Sequence, residues 1–361
     1  GLDAEMVYWS AVCGLSELVL SGATTVSDMF YVFPAGSDVT LDAVIQAAKD
    51  VGVRMHAGRG AMSLGQRDGG LPPDAVVQTP DAIMADVERL VAEHHDPSEG
   101  AMLRIDLMPC SPFSVTPELM IAMRDVARRH GLLLHTHLAE TLDEERFCLE
   151  RFGKRPLALL EELGWLGEDV YLAHGIHFDD AEIALLGRTR TGVAHCPSSN
   201  MRLGSGIARV LELVDAGARV GLAVDGSSSN DGGSMLAEAR QALLLGRMRY
   251  GVGYSAHQAM RLATRGGADV LNRPEIGSLA PGMRADIAIF DLNDVAYAGA
   301  AVHDPLAALA LCQTTRPTHV FINGRHVVEN GHLTTIDLPA AVRRHNQLAG
   351  KLARSSQLAT R

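Results

Sequence analysis

The chain has 361 residues, of which 47% are hydrophobic and 21% charged, so it is neither a disordered chain nor a single small domain. Its 32 basic and 43 acidic residues give a net charge of −11, which disfavours a phosphate-binding surface for nucleic acid. No apolar stretch approaches the ~20 residues of a membrane helix. From the charge and the hydropathy together, we expect neither a nucleic acid nor a membrane as a partner.

From Gly1 the chain enters a predicted helix at once, Ala4–Leu20, so we expect a first strand of the fold to lie upstream. Short apolar strands and amphipathic helices then alternate. The predicted strands are Ala23–Phe30, Val53–Met62, Leu103–Met108, Leu132–Ala139, Val170–His177, Gly192–Cys196 and Val220–Asp225. The predicted helices between them include Leu41–Val51, Asp81–His94, Pro117–His130, Leu142–Phe152 and Pro156–Leu163. This alternation is typical of parallel strands joined by right-handed crossovers.

The polar residues of this region follow the carboxyl ends of the strands, where the active sites of (β/α)8 barrels are built. A doubly wound open sheet is the alternative, but no glycine-rich phosphate loop follows any predicted strand. We therefore predict an α/β fold, a TIM-like barrel over residues 1–275 whose first strand is missing from this chain.

The pattern changes after residue 275. Gly277–Asp291 is predicted to be a turn followed by a strand, and Val320–Val328 a hairpin, because Asn323-Gly324 is a favoured two-residue turn. A closing helix is predicted over Leu338–Leu352. Residues 276–361 are thus expected to form part of a small β-sandwich appendage with a closing helix.

The strongest chemical signal is the stretch Leu134–Glu140, which reads LHTHLAE. Alternation in a strand puts His135 and His137 on one face, and Glu140 follows in the loop. The next strands end in His174, in His195-Cys196 and in Asp225. Imidazole and carboxylate side chains at one rim favour a site for one divalent metal, either zinc or iron.

Lysine and cysteine usage narrow the kind of site. None of the three lysines, Lys49, Lys154 and Lys351, lies at a strand end, which argues against two metals bridged by a modified lysine. The five cysteines lack a CxxC pair, so neither a disulfide framework nor a zinc ribbon is expected. We expect a cytoplasmic protein, with a homodimer as the default assembly.

The ordered motifs HTHLAE, AH, AHCPSSN, VDGSSSN and GSLAPGMRADIAIFDL resemble those of the amidohydrolase superfamily. They are most similar to its purine, pterin and triazine aminohydrolases, which hold one metal. The resemblance implies that His137 and Asp225 ligate the metal. It also implies that Glu140 and Asp225 move protons and that His174 orients the attacking water. The HxH motif of the family's first strand has no counterpart before residue 135.

Substrate contacts are expected from the loops after the third and fourth barrel strands, which carry Arg59, Cys110, Ser111 and Phe113, and from His195. A planar heterocycle needs an apolar face and polar partners for its edge. These stretches resemble those of bacterial 8-oxoguanine deaminases. The resemblance implies hydrolysis of 8-oxoguanine to uric acid and ammonia, with no cofactor besides the metal.

Other functions stay open at this point. A deaminase or dechlorinase acting on guanine, isoxanthopterin or an s-triazine is a close competitor, because one or two pocket residues separate such substrates. A non-catalytic barrel whose metal site has decayed is the alternative of a different class. That alternative predicts loss of Glu140, His174 and Asp225, all of which are present.

Overall fold

Seven parallel strands form the central sheet of the computed structural model, which describes residues 1–312 and 315–359. They pair in chain order, so each neighbour in sequence is also the neighbour in space. The strands are β1 (Thr25–Phe30), β2 (Arg54–Ala61), β3 (Leu103–Pro109), β4 (Leu134–Leu138), β5 (Val170–His174), β6 (Gly192–His195) and β7 (Arg219–Leu222). All seven predicted strands are confirmed.

The sheet is curled like a barrel wall, as a contact across its interior shows. The hydroxyl groups of Ser27 on β1 and Tyr171 on β5 lie 2.7 Å apart, although three strands separate β1 and β5 in the sheet. The predicted parallel, barrel-like α/β architecture is therefore confirmed. Among the described residues, β1 and β7 are the two edges of this sheet.

Sixteen α-helices are present in the described residues, most of them in the connections between strands. They are α1 (Ala4–Val19), α2 (Asp42–Val51), α3 (Pro80–His94), α4 (Pro117–His130), α5 (Leu142–Phe152), α6 (Pro156–Glu162), α7 (Asp180–Thr189), α8 (Pro197–Leu203), α9 (Val210–Ala216), α10 (Ser227–Asn230), α11 (Met235–Tyr250), α12 (Ala256–Arg261), α13 (Gly267–Val270), α14 (Ala300–His303), α15 (Pro305–Leu311) and α16 (Leu338–Ala359). A π-helical segment, Leu262–Gly266, joins α12 to α13.

Helix boundaries follow local chemistry. Thr116 caps α4 by accepting a hydrogen bond from the backbone N–H of Leu119, and Pro117 occupies the first turn, where its missing N–H costs nothing.

The main core lies between the helices and the outer face of the sheet. A smaller apolar cluster, which includes Met108, Tyr171 and Leu271, fills the inside of the curl.

A second sheet follows the barrel-like region. It has four antiparallel strands in the order β11-β10-β9-β8: β8 (Ile287–Ile289), β9 (His319–Ile322), β10 (Arg325–Glu329) and β11 (His332–Leu333). The predicted hairpin turn is present, with positive φ at Asn323 and Gly324, as a type I′ turn requires. In the described residues the expected sandwich is a single sheet, and the domain boundary near residue 275 stays a prediction.

The closing helix is longer than predicted, because α16 continues to Ala359 rather than ending at Leu352. Its Arg344 forms a 2.6 Å ion pair with Glu5 of α1. No helix in the described part of the chain is long and apolar enough to cross a bilayer.

Candidate metal centre and active site

Three predicted residues converge at the carboxyl end of the curled sheet. His137 lies on β4, His174 is the last residue of β5, and Asp225 follows β7. One ligand atom of each lies within 4.8 Å of the others, and the rings of His137 and His174 stack with centroids 5.4 Å apart. The Glu140 carboxylate lies 3.6 Å from Nε2 of His174. The structure thus places the four residues at one point of the rim.

The backbone is strained where these side chains are presented. Ala139, His174 and Asp225 have φ values of 52°, 71° and 63°, in the left-handed region that residues other than glycine seldom adopt. Such conformations are held by the surrounding structure and cluster at functional sites. Here all three stand at the exits of β4, β5 and β7, next to the converging groups.

Hydrogen bonds behind the two histidines set their tautomers. Nδ1 of His137 donates to the carbonyl oxygen of Cys110 at 2.6 Å, and Nδ1 of His174 donates to Oδ1 of Asn200 at 2.9 Å. In its neutral form each ring therefore carries its free lone pair on Nε2. This is the arrangement by which outer hydrogen bonds orient metal-binding imidazoles. Burial lowers the pKa of His174, which also favours the neutral ring.

Asp225 is held ionised by its neighbours. Burial alone raises the pKa of a carboxyl group, but the Ser199 hydroxyl donates to its Oδ2 at 2.5 Å. The backbone N–H of Gly226 donates to its Oδ1 at 2.7 Å, and His174 is also close. Together these groups bring the pKa of Asp225 below its ordinary value, so the carboxylate can accept a proton or a metal.

Glu238 on α11 ties the Asp225 loop to α8. One carboxylate oxygen accepts from the backbone N–H of Ser198 at 3.1 Å, and the other accepts from the Asn230 side chain at 2.8 Å. Asn230 also donates to the carbonyl of Val224 at 2.7 Å. Sequence reasoning missed Glu238, because no local pattern pairs a helical glutamate with a preceding loop.

The predicted substrate residues Cys110, Ser111 and Phe113 line a cavity of about 450 Å³ beside His137. Its walls are otherwise mainly apolar, and the remaining lining residues are Tyr31, Val32, Met62, Leu71, Pro72, Pro73, Val76 and Ser114. This volume is within the range of small-molecule sites. Tyr31 was not predicted, although its position directly after β1 is the signal that identified the other rim residues.

Arg59 is not among the residues that line the cavity, so the structure does not support its expected contact with the substrate. It is fully buried, and its guanidinium donates to Asp86 at 2.7 Å, to Gln78 at 2.9 Å and to the carbonyl of Gly60. It also stacks on Phe33, 4.1 Å from the ring centroid. Because these contacts join β2 to α3 and the loop before it, the guanidinium serves packing rather than the cavity.

Two other histidines also lie outside the cavity lining. Burial lowers the pKa of His195 to about 4 and that of His135 to about 3, so both rings are neutral. His135 donates from Nδ1 to the carbonyl of Tyr171 at 2.9 Å and stacks on the ring of Tyr171. His195 is not among the residues that line the cavity, and its substrate role stays a prediction.

Comparison with known proteins identifies the family to which this site belongs. Residues 2–327 match the model of the amidohydrolase family. The chain belongs to the amidohydrolase family. This amidohydrolase is 50% identical to the 8-oxoguanine deaminase of Pseudomonas aeruginosa, over 97% of this chain and 78% of the relative.

Other relatives of the amidohydrolase act on related compounds, as their names state. An isoxanthopterin deaminase from an unknown prokaryotic organism is 38% identical over 94% of this chain and 78% of its own length. Hydroxydechloroatrazine ethylaminohydrolase of a Pseudomonas species is 39% identical over 93% of this chain and 70% of its length. These relatives are hydrolases of C–N bonds.

The fold of the amidohydrolase is similar to that of solved structures. Atrazine chlorohydrolase from Arthrobacter aurescens, crystallised with zinc, matches with a TM-score of 0.91 and 34% identity. The match covers 96% of this chain and 77% of that chain. A divalent metal therefore belongs to this kind of site, and the donors present here fit one: two imidazoles and a carboxylate within reach of one another.

Proposed function

We propose that this protein hydrolytically deaminates an oxopurine, with 8-oxoguanine as substrate and uric acid and ammonia as products. The convergence of Glu140, His174 and Asp225 beside His137 carries the proposal, because it joins groups that transfer protons to groups that bind metal. The 50% identity to a named 8-oxoguanine deaminase supports the choice of substrate.

The metal site would be formed by His137 and Asp225, with His174 close enough to add a third donor. We propose zinc as the metal, with iron as the alternative, because nitrogen and oxygen donors suit both ions. A bound divalent metal supplies activation of the attacking water at neutral pH.

The protein residues would divide the proton transfers between them. Asp225 is ionised and can accept a proton from the attacking water, while the neutral His174 orients it by hydrogen bonding. Glu140, 3.6 Å from His174, would protonate the ring nitrogen next to the amino-bearing carbon. Asp225 would then return its proton to the amine, and the carbon–nitrogen bond would break so that ammonia leaves. The proton of the added hydroxyl group would pass to Glu140, which forms the product carbonyl and restores the acid.

The cavity beside His137 is the proposed binding site for the ring. Phe113 offers an apolar face, while Cys110 and Ser111 offer polar contacts at the ring edge. Because the remaining walls are mainly apolar, less polar heterocycles are the second candidates. The similarity to an isoxanthopterin deaminase and to a triazine ethylaminohydrolase supports the same alternative.

A turnover assay with four substrates tests this proposal: 8-oxoguanine, guanine, isoxanthopterin and a chloro- or amino-s-triazine. The metal content of each sample is measured, and ammonia and chloride release are recorded separately. Selective conversion of 8-oxoguanine to uric acid is the expected result. If only another compound is converted, that compound replaces 8-oxoguanine as the substrate. A metal-loaded protein that is inactive on all four compounds would contradict the proposed reaction.

Cellular location and assembly are further proposals. Cys13, Cys110, Cys148, Cys196 and Cys312 are all unpaired, which supports a reducing, cytoplasmic setting. We also propose a homodimer, which light scattering of the purified protein would test.

A further inference from the structure

The side chain of Glu140, the proposed proton donor, is held loosely. It is only partly buried, with 22% of the side chain exposed, and its polar contact within the described residues is the 3.6 Å approach to His174. A proton donor must stay within hydrogen-bond reach of the atom it protonates. The direction of this carboxylate must therefore be fixed mainly through its backbone.

That backbone is fixed on one side by β5. The carbonyl of Leu138 accepts from the N–H of Gly175 at 3.1 Å. The carbonyl of Ala139, whose φ of 52° turns the chain out of β4, accepts from the N–H groups of Ile176 and His177 at 2.9 and 3.0 Å. These bonds join the exit of β4 to the exit of β5, but none of them involves Glu140 itself.

Glu144 supplies the missing contact. Its side chain is buried, with 2% of the residue exposed, and its Oε2 accepts the backbone N–H of Glu140 at 3.0 Å. The second oxygen, Oε1, is buried without a hydrogen-bond partner. A carboxyl group in such surroundings is costly to bury, so its retention here calls for a specific use.

The local sequence makes this contact unusual. Thr141-Leu-Asp-Glu144 matches the capping box, in which the fourth residue bonds the backbone N–H of the N-cap residue. The first hydrogen bond of the capping box is present, because the Thr141 hydroxyl accepts from the N–H of Glu144 at 3.3 Å. The Glu144 carboxylate, however, bonds the residue before the N-cap, which is Glu140. The capping bond is thus transferred to the proposed proton donor.

We infer that Glu144 is a positioning residue, which holds the backbone of Glu140 so that its carboxylate faces His174. Glu144 acts through one hydrogen-bond acceptor and does not touch the reacting atoms. The inference rests on the proposed function for the role of Glu140, but the anchoring itself can be measured without substrate.

Three variants separate anchoring from charge. Glu144→Gln keeps an oxygen that can accept the Glu140 N–H, whereas Glu144→Met fills a similar volume without an acceptor. Asp143→Asn is the matched control, because Asp143 stands in the same helical turn with 75% of its side chain exposed. Amide hydrogen exchange at Glu140, metal content, kcat, KM and the pH profile of kcat are measured on each full-length protein.

Glu144→Met should speed exchange at Glu140 by about tenfold and lower kcat by about tenfold or more, since one lost hydrogen bond is worth roughly that factor. Its KM and metal content should stay near the wild-type values. The pH profile of kcat should change in this variant, which a loss of global stability alone would not cause. Glu144→Gln and Asp143→Asn should behave like the wild type.

Unchanged exchange and an unchanged pH profile in a folded Glu144→Met protein would overturn the inference, as would equal loss in the Met and Gln variants. If the Met variant does not fold, Glu144→Asp replaces it: its carboxylate is one methylene short, and wild-type behaviour would likewise overturn the inference. Activity comparisons use whichever heterocycle the wild type converts. Normal anchoring in a protein that does not convert 8-oxoguanine would therefore reject the substrate proposal alone.

Discussion

The ring of His174 is oriented by Asn200, whose side-chain oxygen accepts its Nδ1–H at 2.9 Å. His174 ends β5, while Asn200 lies in α8 after the next strand, so two consecutive barrel units cooperate in one hydrogen bond. Both residues are buried. The bond leaves Nε2 of His174 unprotonated on the side where Glu140 and Asp225 meet.

Asn200→Leu should therefore lower kcat by about 10–100-fold while the protein stays folded, since outer hydrogen bonds to site histidines are typically worth that factor. Asn200→Asp should preserve the hydrogen bond but favour the imidazolium, which moves the acidic limb of the pH–rate profile to higher pH. Met201→Ala, a more exposed neighbour on the same helix, is the control. Identical pH profiles for wild type and Asn200→Asp would remove Asn200 from this role.

Glu140→Gln should abolish turnover and leave metal content intact. Glutamine has nearly the same shape but cannot deliver a proton, and general acid catalysis typically contributes about 10²–10⁴-fold. Steady-state kinetics with elemental analysis of the same sample checks this. Glu150→Gln, an exposed change on the adjacent helix α5, should have no effect. Normal turnover by Glu140→Gln would require another proton donor.

The convergence of the site was predictable because it follows from topology. His137, His174 and Asp225 each stand at the carboxyl end of a parallel strand, and a curled sheet brings such ends to one rim. The residues behind them were harder to predict. Glu238 reaches the Asp225 loop from a different helix, and no periodicity in a single sequence encodes such tertiary hydrogen bonds.

Arg59 illustrates a second limit. An arginine near a strand end can serve a substrate or a packing contact, and its sequence position does not say which face of the strand it occupies. The decisive partners, Gln78 and Asp86, come 19 and 27 residues later. The capping-box pattern at Thr141 and Glu144 was visible in the sequence, but its transfer to Glu140 depends on the strained turn at Ala139.

Arg59→Ala should destabilise the fold and leave the preference among heterocycles unchanged. The variant would remove the contacts of a fully buried guanidinium with Asp86 and Gln78 and empty a buried volume, at a cost of about 3 kcal/mol in the free energy of unfolding. Urea unfolding and the ratios of kcat/KM among substrates check both parts. Arg67→Ala, with 83% of its side chain exposed, is the control. A changed substrate preference in Arg59→Ala would indicate that Arg59 contacts the substrate.

Glu144 should make the stability of the protein depend on pH near neutrality. Burial raises its pKa to about 7, although N–H groups of Glu140 and Ala139 oppose the shift. Since the unfolded value is about 4.5, the folded protein retains a proton that the unfolded chain has released over pH 4.5–7. The stabilisation is present below about pH 4.5 and is lost as the pH rises through about 7.

Glu144→Gln has no such proton to lose. As the pH rises from 5 to 8, its free energy of unfolding should therefore increase relative to that of the wild type. A shift of this size corresponds to at most about 3 kcal/mol. Urea denaturation at both pH values gives the two differences, and Asp143→Asn, at an exposed position of the same turn, should show no comparable change. A difference between Glu144→Gln and wild type that is the same at pH 5 and pH 8 would mean that Glu144 is already ionised in the folded protein at pH 5. In that case the backbone N–H groups, and not burial, would govern its charge.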